Sequence, residues 1–590
     1  VNIVSISSRI ALSLIFSASI APLHSQITFY ENGIAAGLAT TFSPQGVAVA
    51  DYDVDGDDDI LFAGWYGVAL FQNDGSAHFT NVTATSGVSR SGRYVAPIFA
   101  DWDNDSDPDL FLGAQDAVGT NRLLRNDSGH FTDVTKGSGI DTLVSVGTAA
   151  AGDFNNDGRL DLFLATRDSP DRLYRNSSVN STITFDDVTS EAGVAGGPST
   201  IAMQATWIDY DQDGDVDLFA VHDGFDKSQL FKNDGMMPMP DVAPQVHLDS
   251  VGAGNSMGVA WGDMNNDGWQ DVYVTRIDHG GLYRNAAGSN FQEIAATANA
   301  DSNGMSWGVA WSDFDNDGNE DLAIVNIASF GGLHRTSLLY RNNGNGTFTD
   351  VGPQSGFASN ADFYGLATGD FNGDGRQDIV GASFSPSGQN KLWINATSGV
   401  GNWASFHLRG TSVNRGAVGA TILVRAGGQR FVRSVIAGSS YCSQVSPVAL
   451  FGVGSAAILD TVEVTWGPGK VEYWFGLAVN TTHQLDEGTA TGVADETEQV
   501  QEVEDPVALH NYPNPFNTST RISFSLSFSG RVRLEIFDQL GRSVALIADQ
   551  RFEAGSHSAT FNASLLPSGV YLCRLTTSRS SSIRALLLVK

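Results

Sequence analysis

The sequence predicts an all-β protein: a seven-bladed β-propeller, then a small β domain, then a C-terminal β-sandwich. Two observations lead there. An acidic nine-residue pattern returns seven times at intervals of 50 to 57 residues, each copy set between short apolar runs of strand character. After residue 398 the repeat stops, and two shorter segments of alternating apolar residues and glycine turns follow.

The first copy runs Asp51-Tyr52-Asp53-Val54-Asp55-Gly56-Asp57-Asp58-Asp59, with Asp51, Asp53, Asp55 and Asp59 at loop positions 1, 3, 5 and 9. The second has Asp101, Asp103, Asp105 and Asp109, with Ser106 in place of the position-6 glycine. The third has Asp153, Asn155, Asp157 and Asp161; the fourth has Asp209, Asp211, Asp213 and Asp217. The fifth has Asp263, Asn265, Asp267 and Asp271, and the sixth Asp313, Asp315, Asp317 and Asp321. The seventh has Asp370, Asn372, Asp374 and Asp378. Calcium takes about six to eight oxygen ligands at about 2.3–2.6 Å, and alternate carboxylates on a tight turn can supply them. The sequence therefore implies up to seven bound Ca2+ ions, with Ser106 marking the second site as the doubtful one. An EF-hand begins alike but needs an acid at position 12. Here that position is Phe62, Leu112, Leu164, Ala220, Val274, Ile324 or Gly381, which excludes it.

Each unit has one grammar. A Gly/Ala-rich strand such as Gly258-Val259-Ala260-Trp261 enters the loop, and a strand such as Asp109-Leu110-Phe111-Leu112 leaves it. A third follows, as in Arg122–Asn126, and an outer one, as in His130–Thr135, making the four strands of a propeller blade. The seventh unit lacks its outer strand, while an orphan of that type, Ile27–Ile34, precedes the first. The expectation is a ring closed by its own two ends, which leaves only short strand edges exposed.

These loops and strands resemble the FG-GAP/VCBS repeats of integrin alpha subunits and bacterial surface proteins. The resemblance implies calcium on one rim of a propeller at residues 26–398, with partners bound elsewhere.

Residues 399–488 include Trp403–Gly410, Asn414-Arg415-Gly416, Ser439-Ser440-Tyr441, Ser443-Gln444, Leu450–Gly454 and Val462–Trp466. They resemble the ASPIC/UnbV domain, whose family carries no well-established chemistry. Asn414-Arg415-Gly416 is read as a β turn and not as a phosphate loop. Residues 489–508 are rich in Asp and Glu, lack Lys and Arg, and are read as a solvated linker. Residues 509–590 contain Tyr512-Pro513-Asn514-Pro515-Phe516, Gly541-Arg542 and Ser568-Gly569-Val570-Tyr571. They resemble the type A C-terminal sorting domain of type IX secretion, which implies the type IX machinery as a partner and passage through an outer membrane. At the other end, Arg9 and the apolar run Ile10–Pro22 read as a secretory signal peptide over residues 1–25. Secretion or display at the cell surface is the expected location.

The composition agrees. The 590 residues are 42% hydrophobic and 10% aromatic, enough for packed cores, and the formal net charge is −33. Such a charge argues against nucleic-acid binding, which needs a basic surface. The loops account for much of it, with 25 Asp at their ligand positions. No stretch of the sequence after the N-terminal run is long and apolar enough for a membrane span. Cys442 and Cys573 fall in different segments and are read as isolated apolar residues.

No catalytic constellation is read. His222, His279 and His334 lack metal spacing and are assigned structural or surface roles; no G-x-S-x-G elbow or P-loop occurs. Trp65, Tyr66, Trp307 and Tyr364 are assigned to inner-strand packing, with sugar stacking as the competing role. The function expected is recognition of an extracellular protein or glycan by a calcium-binding propeller. The alternative is a polysaccharide lyase or other carbohydrate-active enzyme on the same ring, since some propellers of these repeats are lyases. That reading requires a Tyr or His and an Arg converging in the ring mouth.

Overall fold

The structure is a computed structural model. It describes residues 26–590 except 116–119, 141–143, 168, 197–200, 225–226, 250–254, 303, 330–334, 386–388, 491, 494–508, 527–529, 539–541, 553–554 and 577–580. The signal-peptide stretch, most of the linker, His334 and Gly541 therefore lie outside the described residues. The chain divides into two compact units, residues 1–494 and 495–590.

The first unit holds the repeats. Among the described residues they form seven antiparallel sheets. Their first strands are Ser43–Ala50, Tyr94–Ala100, Val146–Gly152, Ile201–Ile208, Ser256–Gly262, Ser306–Ser312 and Phe363–Gly369. Each neighbours the next in order, and the last neighbours the first, so they line the axis of a β-propeller. Every one is irregular in register near its start, and in five of them a glycine (Gly46, Gly147, Gly258, Gly308 or Gly365) sits at or beside that point. A Cβ on Gly147 would stand 2.3 Å from the Ala202 carbonyl oxygen, and one on Gly258 would stand 2.4 Å from that of Trp307. The Gly/Ala richness of these strands thus follows from how closely inner strands approach one another. Side chains from facing sheets fill the space between them: Phe154, Phe163 and Trp207 pack between the third and fourth sheets.

The closure expected from the chain ends is present. Phe29–Glu31 pairs antiparallel with Lys391–Asn395, with Phe29 opposite Asn395, and supplies the outer strand of the seventh sheet. The fourth sheet departs from the four-strand expectation. It has three strands, and in place of the outer one Phe231 makes a single bridge to Asp241. The insertion Asp234–Pro240 there, with two prolines and three methionines, lacks the alternation a strand needs.

The β domain after the repeats belongs to the same compact unit, which its separate sequence grammar did not suggest. Asn402–Arg409 lies between Ala449–Gly454 and Thr482–Asp486 in one sheet. Gln429–Ser434, Thr421–Ala426, Ile458–Gly467 and Lys470–Ala478 lie side by side in the other. Phe406, Val424, Phe431, Phe451, Val462 and Trp474 fill the core between them.

The second unit is a β-sandwich of a three-stranded and a four-stranded sheet. Its core includes Phe516, Phe524, Leu534, Ile536, Phe561, Tyr571 and Cys573. Both cysteines are free and buried, as expected.

Candidate metal centre

Each acidic loop joins the first and second strands of its sheet, Asp51–Asp58 bridging Ser43–Ala50 and Asp59–Trp65 for example. Positions 4 and 6 take left-handed backbone conformations, at φ 59° for Val54 and 100° for Gly56. Ser106 adopts φ 84° at the position where the other six loops have glycine, so the loop keeps its shape there with a strained residue.

The position-1 and position-9 aspartates are built into the turn. Position 1 accepts two backbone N–H groups in every loop: Asp51 takes those of Asp55 at 3.0 Å and Gly56 at 2.9 Å, and Asp313 those of Asp317 at 3.1 Å and Gly318 at 2.7 Å. Position 9 accepts the N–H of position 2 and that of an asparagine ending the third strand. Asp109 does so from Trp102 at 3.0 Å and from Asn126 at 2.8 Å. Position 5 caps its own loop, Asp55 and Asp317 accepting the N–H of Asp57 and Asn319 at 3.1 and 2.9 Å.

Position 3 is different. In four loops its carboxylate has buried oxygens with no hydrogen-bond partner: Asp53 Oδ1, both oxygens of Asp103, Asp211 Oδ1 and Asp315 Oδ1. In the same four loops one oxygen from each of positions 1, 3 and 9 lies within 4.8 Å of the others: Asp51/Asp53/Asp59, Asp101/Asp103/Asp109, Asp209/Asp211/Asp217 and Asp313/Asp315/Asp321. Buried oxygens without donors, gathered with two more carboxylates, fit a hard divalent cation. The position-5 acids Asp55, Asp105, Asp213 and Asp317 stand outside these triplets. In the third, fifth and seventh loops the asparagines at position 3 leave only two acids at positions 1 and 9. Asn155, Asn265 and Asn372 accept the N–H of Asp157, Asp267 and Asp374 at 3.2, 3.2 and 3.3 Å.

Electrostatics agree with the geometry. Burial first, and the neighbouring carboxylates after it, push Asp51 up to about 6, Asp101 and Asp209 to about 7 and Asp59 to about 9. Asp109, Asp161, Asp217, Asp271, Asp321 and Asp378, all at position 9, are raised well above the usual carboxylate range by burial. A divalent cation supplies the positive charge that such a cluster lacks. Partial substitutes exist: Lys232 pairs with Asp211 and Asp213, and Arg341 reaches Asp315 at 3.0 Å and Asp317 at 3.2 Å.

The third-strand asparagines do more than meet position 9. Asn73, Asn126, Asn176, Asn233, Asn285, Asn342 and Asn395 each donate from Nδ2 to the position-2 carbonyl of the preceding sheet's loop, at 2.7–2.9 Å. Asn73 reaches back to Phe371 and so carries the series across the ring closure. Sequence reasoning gave these residues no role. Their signal was there, since an asparagine stands at or near the end of the third strand of every unit, 14 to 21 residues after the position-9 aspartate.

A family model described as FG-GAP-like repeat matches residues 51–112, 104–164, 153–220, 209–274, 263–324 and 327–381, more than half of the chain. The chain belongs to the FG-GAP-like repeat family. Models for ASPIC and UnbV and for the Secretion system C-terminal sorting domain match residues 410–492 and 510–590. The sorting domain places the protein outside the cell or on its surface. Cartilage acidic protein 1 of Mus musculus is 27% identical over 268 residues, 41% of this chain and 40% of that protein. Its Homo sapiens counterpart is 27% identical over 271 residues, 42% and 39% of the two chains. This chain thus spans about two fifths of the length of the curated relatives it matches. Among solved structures, the BP39L lectin from Burkholderia pseudomallei has a TM-score of 0.39 and 12% identity, covering 60% of this chain and 96% of the lectin.

In this FG-GAP-like ring the ASPIC and UnbV domain packs on the acidic loops. The N–H groups of Gly401 and Gly454 donate to the carbonyls of Asp315 and Asn316 at 3.3 and 3.1 Å, and that of Arg415 to Asn104 Oδ1 at 3.1 Å. Arg433 meets buried Glu320 at 3.1 Å. The segment Ala437–Gln444 enters the ring itself. Ala437 bridges to Ala151 and Ser440 to Val259, while Ser443-Gln444 pairs parallel with Val47-Ala48. Gln444 uses both ends of its carboxamide on the backbone of Phe99, at 2.8 and 3.0 Å. Tyr441 and Cys442 are 1% exposed. The plug was not foreseen: its small polar residues pattern like a loop, and backbone pairing is what buries them.

The remaining candidates separate. His222 lies within the strand Asp217–Asp223, fully buried, its Nε2 3.8 Å from Asp171 Oδ2. His279 is exposed beside Asp301. Trp307 packs at 7% exposure, whereas Tyr66 is 80% exposed, which corrects its assignment to inner packing. Tyr66 follows the strand Asp59–Trp65 at φ 78°, so its ring turns away from the core.

Proposed function

We propose that this chain is a secreted or cell-surface recognition protein whose seven-bladed propeller is braced by calcium. The carrying observation is the set of partnerless position-3 oxygens, each gathered with two other carboxylates, of which the position-9 one is buried in every case. Positions 1, 3, 5 and 9 of each loop would hold the ion, the four all-Asp loops more tightly than the three with Asn at position 3. Bound calcium supplies the charge that lets these groups stay ionised. The protein's own part is to hold them ready through the N–H bonds to positions 1 and 9.

Extracellular calcium modules bind at about 10⁻⁴–10⁻³ M. At tenfold over Kd one site adds about 1.4 kcal/mol, so seven would add about 10 kcal/mol, comparable to the net stability of a whole domain. The ion is read as structural, and the partner as an extracellular protein or glycan engaged elsewhere on the ring. In this reading residues 26–398 form the propeller, 399–488 the module on its rim, 489–508 the linker and 509–590 the domain met by the type IX machinery, with 1–25 as signal peptide.

Thermal unfolding of the protein in millimolar calcium and in excess chelator tests the proposal. Calcium is expected to raise the transition by on the order of 10 °C. An unchanged transition would reduce the loops to acidic turns.

A further inference from the structure

We propose that the ASPIC and UnbV domain seals the sixth acidic loop, so that calcium held by Asp313, Asp315 and Asp321 is a trapped ion, taken up before the domain docks and released only when it lifts. The inference rests on the calcium reading above and adds to it what governs exchange at one site.

The sixth loop is set apart by its depth. Asp313, Asp315 and Asp321 are each 1% exposed. In the first, second and fourth loops at least one acid of the corresponding triplet stays partly exposed. The sixth loop has the same four aspartates and glycine as the first and the fourth, so its own sequence does not account for the difference. What lies over it does.

The cover is the paired ends of two strands of the domain. Asn402–Arg409 and Ala449–Gly454 run side by side, with Asn402 opposite Gly454 and Trp403 opposite Gly452. Gly401 and Gly454 donate their N–H groups to the carbonyls of Asp315 and Asn316. A Cβ on Gly452 would stand 1.9 Å from Asp313 Oδ2, and one on Gly401 would stand 2.0 Å from the Asn316 carbonyl oxygen. Backbone can approach the carboxylate this closely only where it carries no side chain. Phe431, from the domain's other sheet, lies against the turn, where a Cβ on Gly318 would be 2.7 Å from its ring. Buried Glu320 fastens the cover to the ring, accepting the N–H of Asp263 at 2.6 Å and meeting Arg433 at 3.1 Å.

Elsewhere the domain touches without sealing. Ser412, Pro468, Arg430 and Trp403 lie beside the position-6 glycines of the third, fourth, fifth and seventh loops. Of these four, only the fourth has Asp at position 3, and its Asp209 and Asp211 remain partly exposed. The first loop is the opposite extreme. Nothing lies within 4 Å of a Cβ placed on Gly56, and Val54 is 53% exposed.

The sealed loop still calls for a cation. Asp315 Oδ1 is buried without a hydrogen-bond partner. Arg341, from the third strand, takes Asp315 Oδ2 at 3.0 Å and Asp317 Oδ2 at 3.2 Å. One guanidinium against four carboxylates leaves negative charge for a divalent ion to meet, in surroundings where water screens little of it. By linkage, the domain then docks more tightly over an occupied loop than over an empty one.

Stopped-flow release of calcium from the whole, calcium-loaded protein into excess fluorescent chelator tests this. Most of the bound calcium is expected to leave quickly. One ion should leave at least about tenfold more slowly, because the lifted state is populated only a small part of the time. Asp315→Asn is expected to abolish the slow phase. Gly452→Ala sets a methyl group against Asp313, and Arg433→Gln unfastens the domain from Glu320. Each is expected to quicken the slow phase about tenfold and to leave the fast phase unchanged. A single fast phase in the unaltered protein, a slow phase that survives Asp315→Asn, or one that neither cover variant quickens would overturn the proposal. The amount of calcium released separates the two readings. Calcium leaving in one fast phase removes the seal alone, whereas a protein with no calcium to release removes the calcium-braced reading as well.

Discussion

Asn126 donates from Nδ2 to the carbonyl of Tyr52, 2.7 Å away in the loop of the preceding blade, while its own N–H is held by Asp109 at 2.8 Å. One side chain thus ties the turn of its blade to that of its neighbour, and six more asparagines repeat the tie around the ring.

Replacing Asn126 by Ala is expected to destabilise the first unit by about 1–3 kcal/mol, the cost of leaving a buried carbonyl without its donor. Asn285→Ala lies across the ring, so the double variant should lose the sum of the two. Urea unfolding measures both. A loss below about 0.5 kcal/mol at each position would show that the ties carry no stability.

Asp53→Asn should separate metal binding from packing. In calcium it is expected to lower the unfolding transition, because one charged ligand is gone. In chelator it should be neutral or stabilising, since a carboxylate beside Asp51 and Asp55 is removed and Gln72 keeps an oxygen to bond. Equal destabilisation in both buffers would contradict a ligand role.

The metal-free protein should become less stable as pH rises. The folded state holds Asp51 at about 6, Asp101 at about 7 and Asp59 at about 9, all above the ordinary aspartate value of 3.8. Their contribution is complete below the unfolded value and disappears as pH passes through the folded ones. Urea midpoints in chelator at about pH 5, 7 and 9 should therefore fall, and the gain on adding calcium should grow over the same range. A chelated protein whose midpoint rises with pH would refute this assignment.

Burial pushes the thiols of Cys442 and Cys573 up to about 12. Neither should react with an alkylating reagent at about pH 8 in the folded protein, and both should after unfolding. Gln444→Ala is expected to destabilise the first unit by about 2–4 kcal/mol, because it leaves the N–H and carbonyl of Phe99 without partners. It should also make Cys442 reactive before Cys573. Mass spectrometry of the labelled peptides gives the order.

Much of this architecture could be read from spacing. Aspartates at positions 1, 3, 5 and 9 place a turn, apolar flanks place strands on both sides, and an orphan Phe29 strand at one end answers a missing strand at the other. The roles within a loop were less legible, because Asp55 and Asp53 look alike in sequence. Only the fold shows that one caps its own turn and the other has an oxygen without a donor. The plug was hidden for a different reason. Apolar periodicity reports side chains that seek burial, and Ser439, Ser440 and Ser443 are buried through backbone pairing and close packing along the axis.

The plug also sets a timetable. Phe29 must wait for Asn395, and Val47 for Ser443, so nearly four hundred residues are made before the ring can close and fill. Contacts of such long sequence separation form slowly. The individual sheets, built from neighbouring strands, can form before the ring that they make is closed. Ring closure and insertion of the plug are then the last steps to complete, and they finish together.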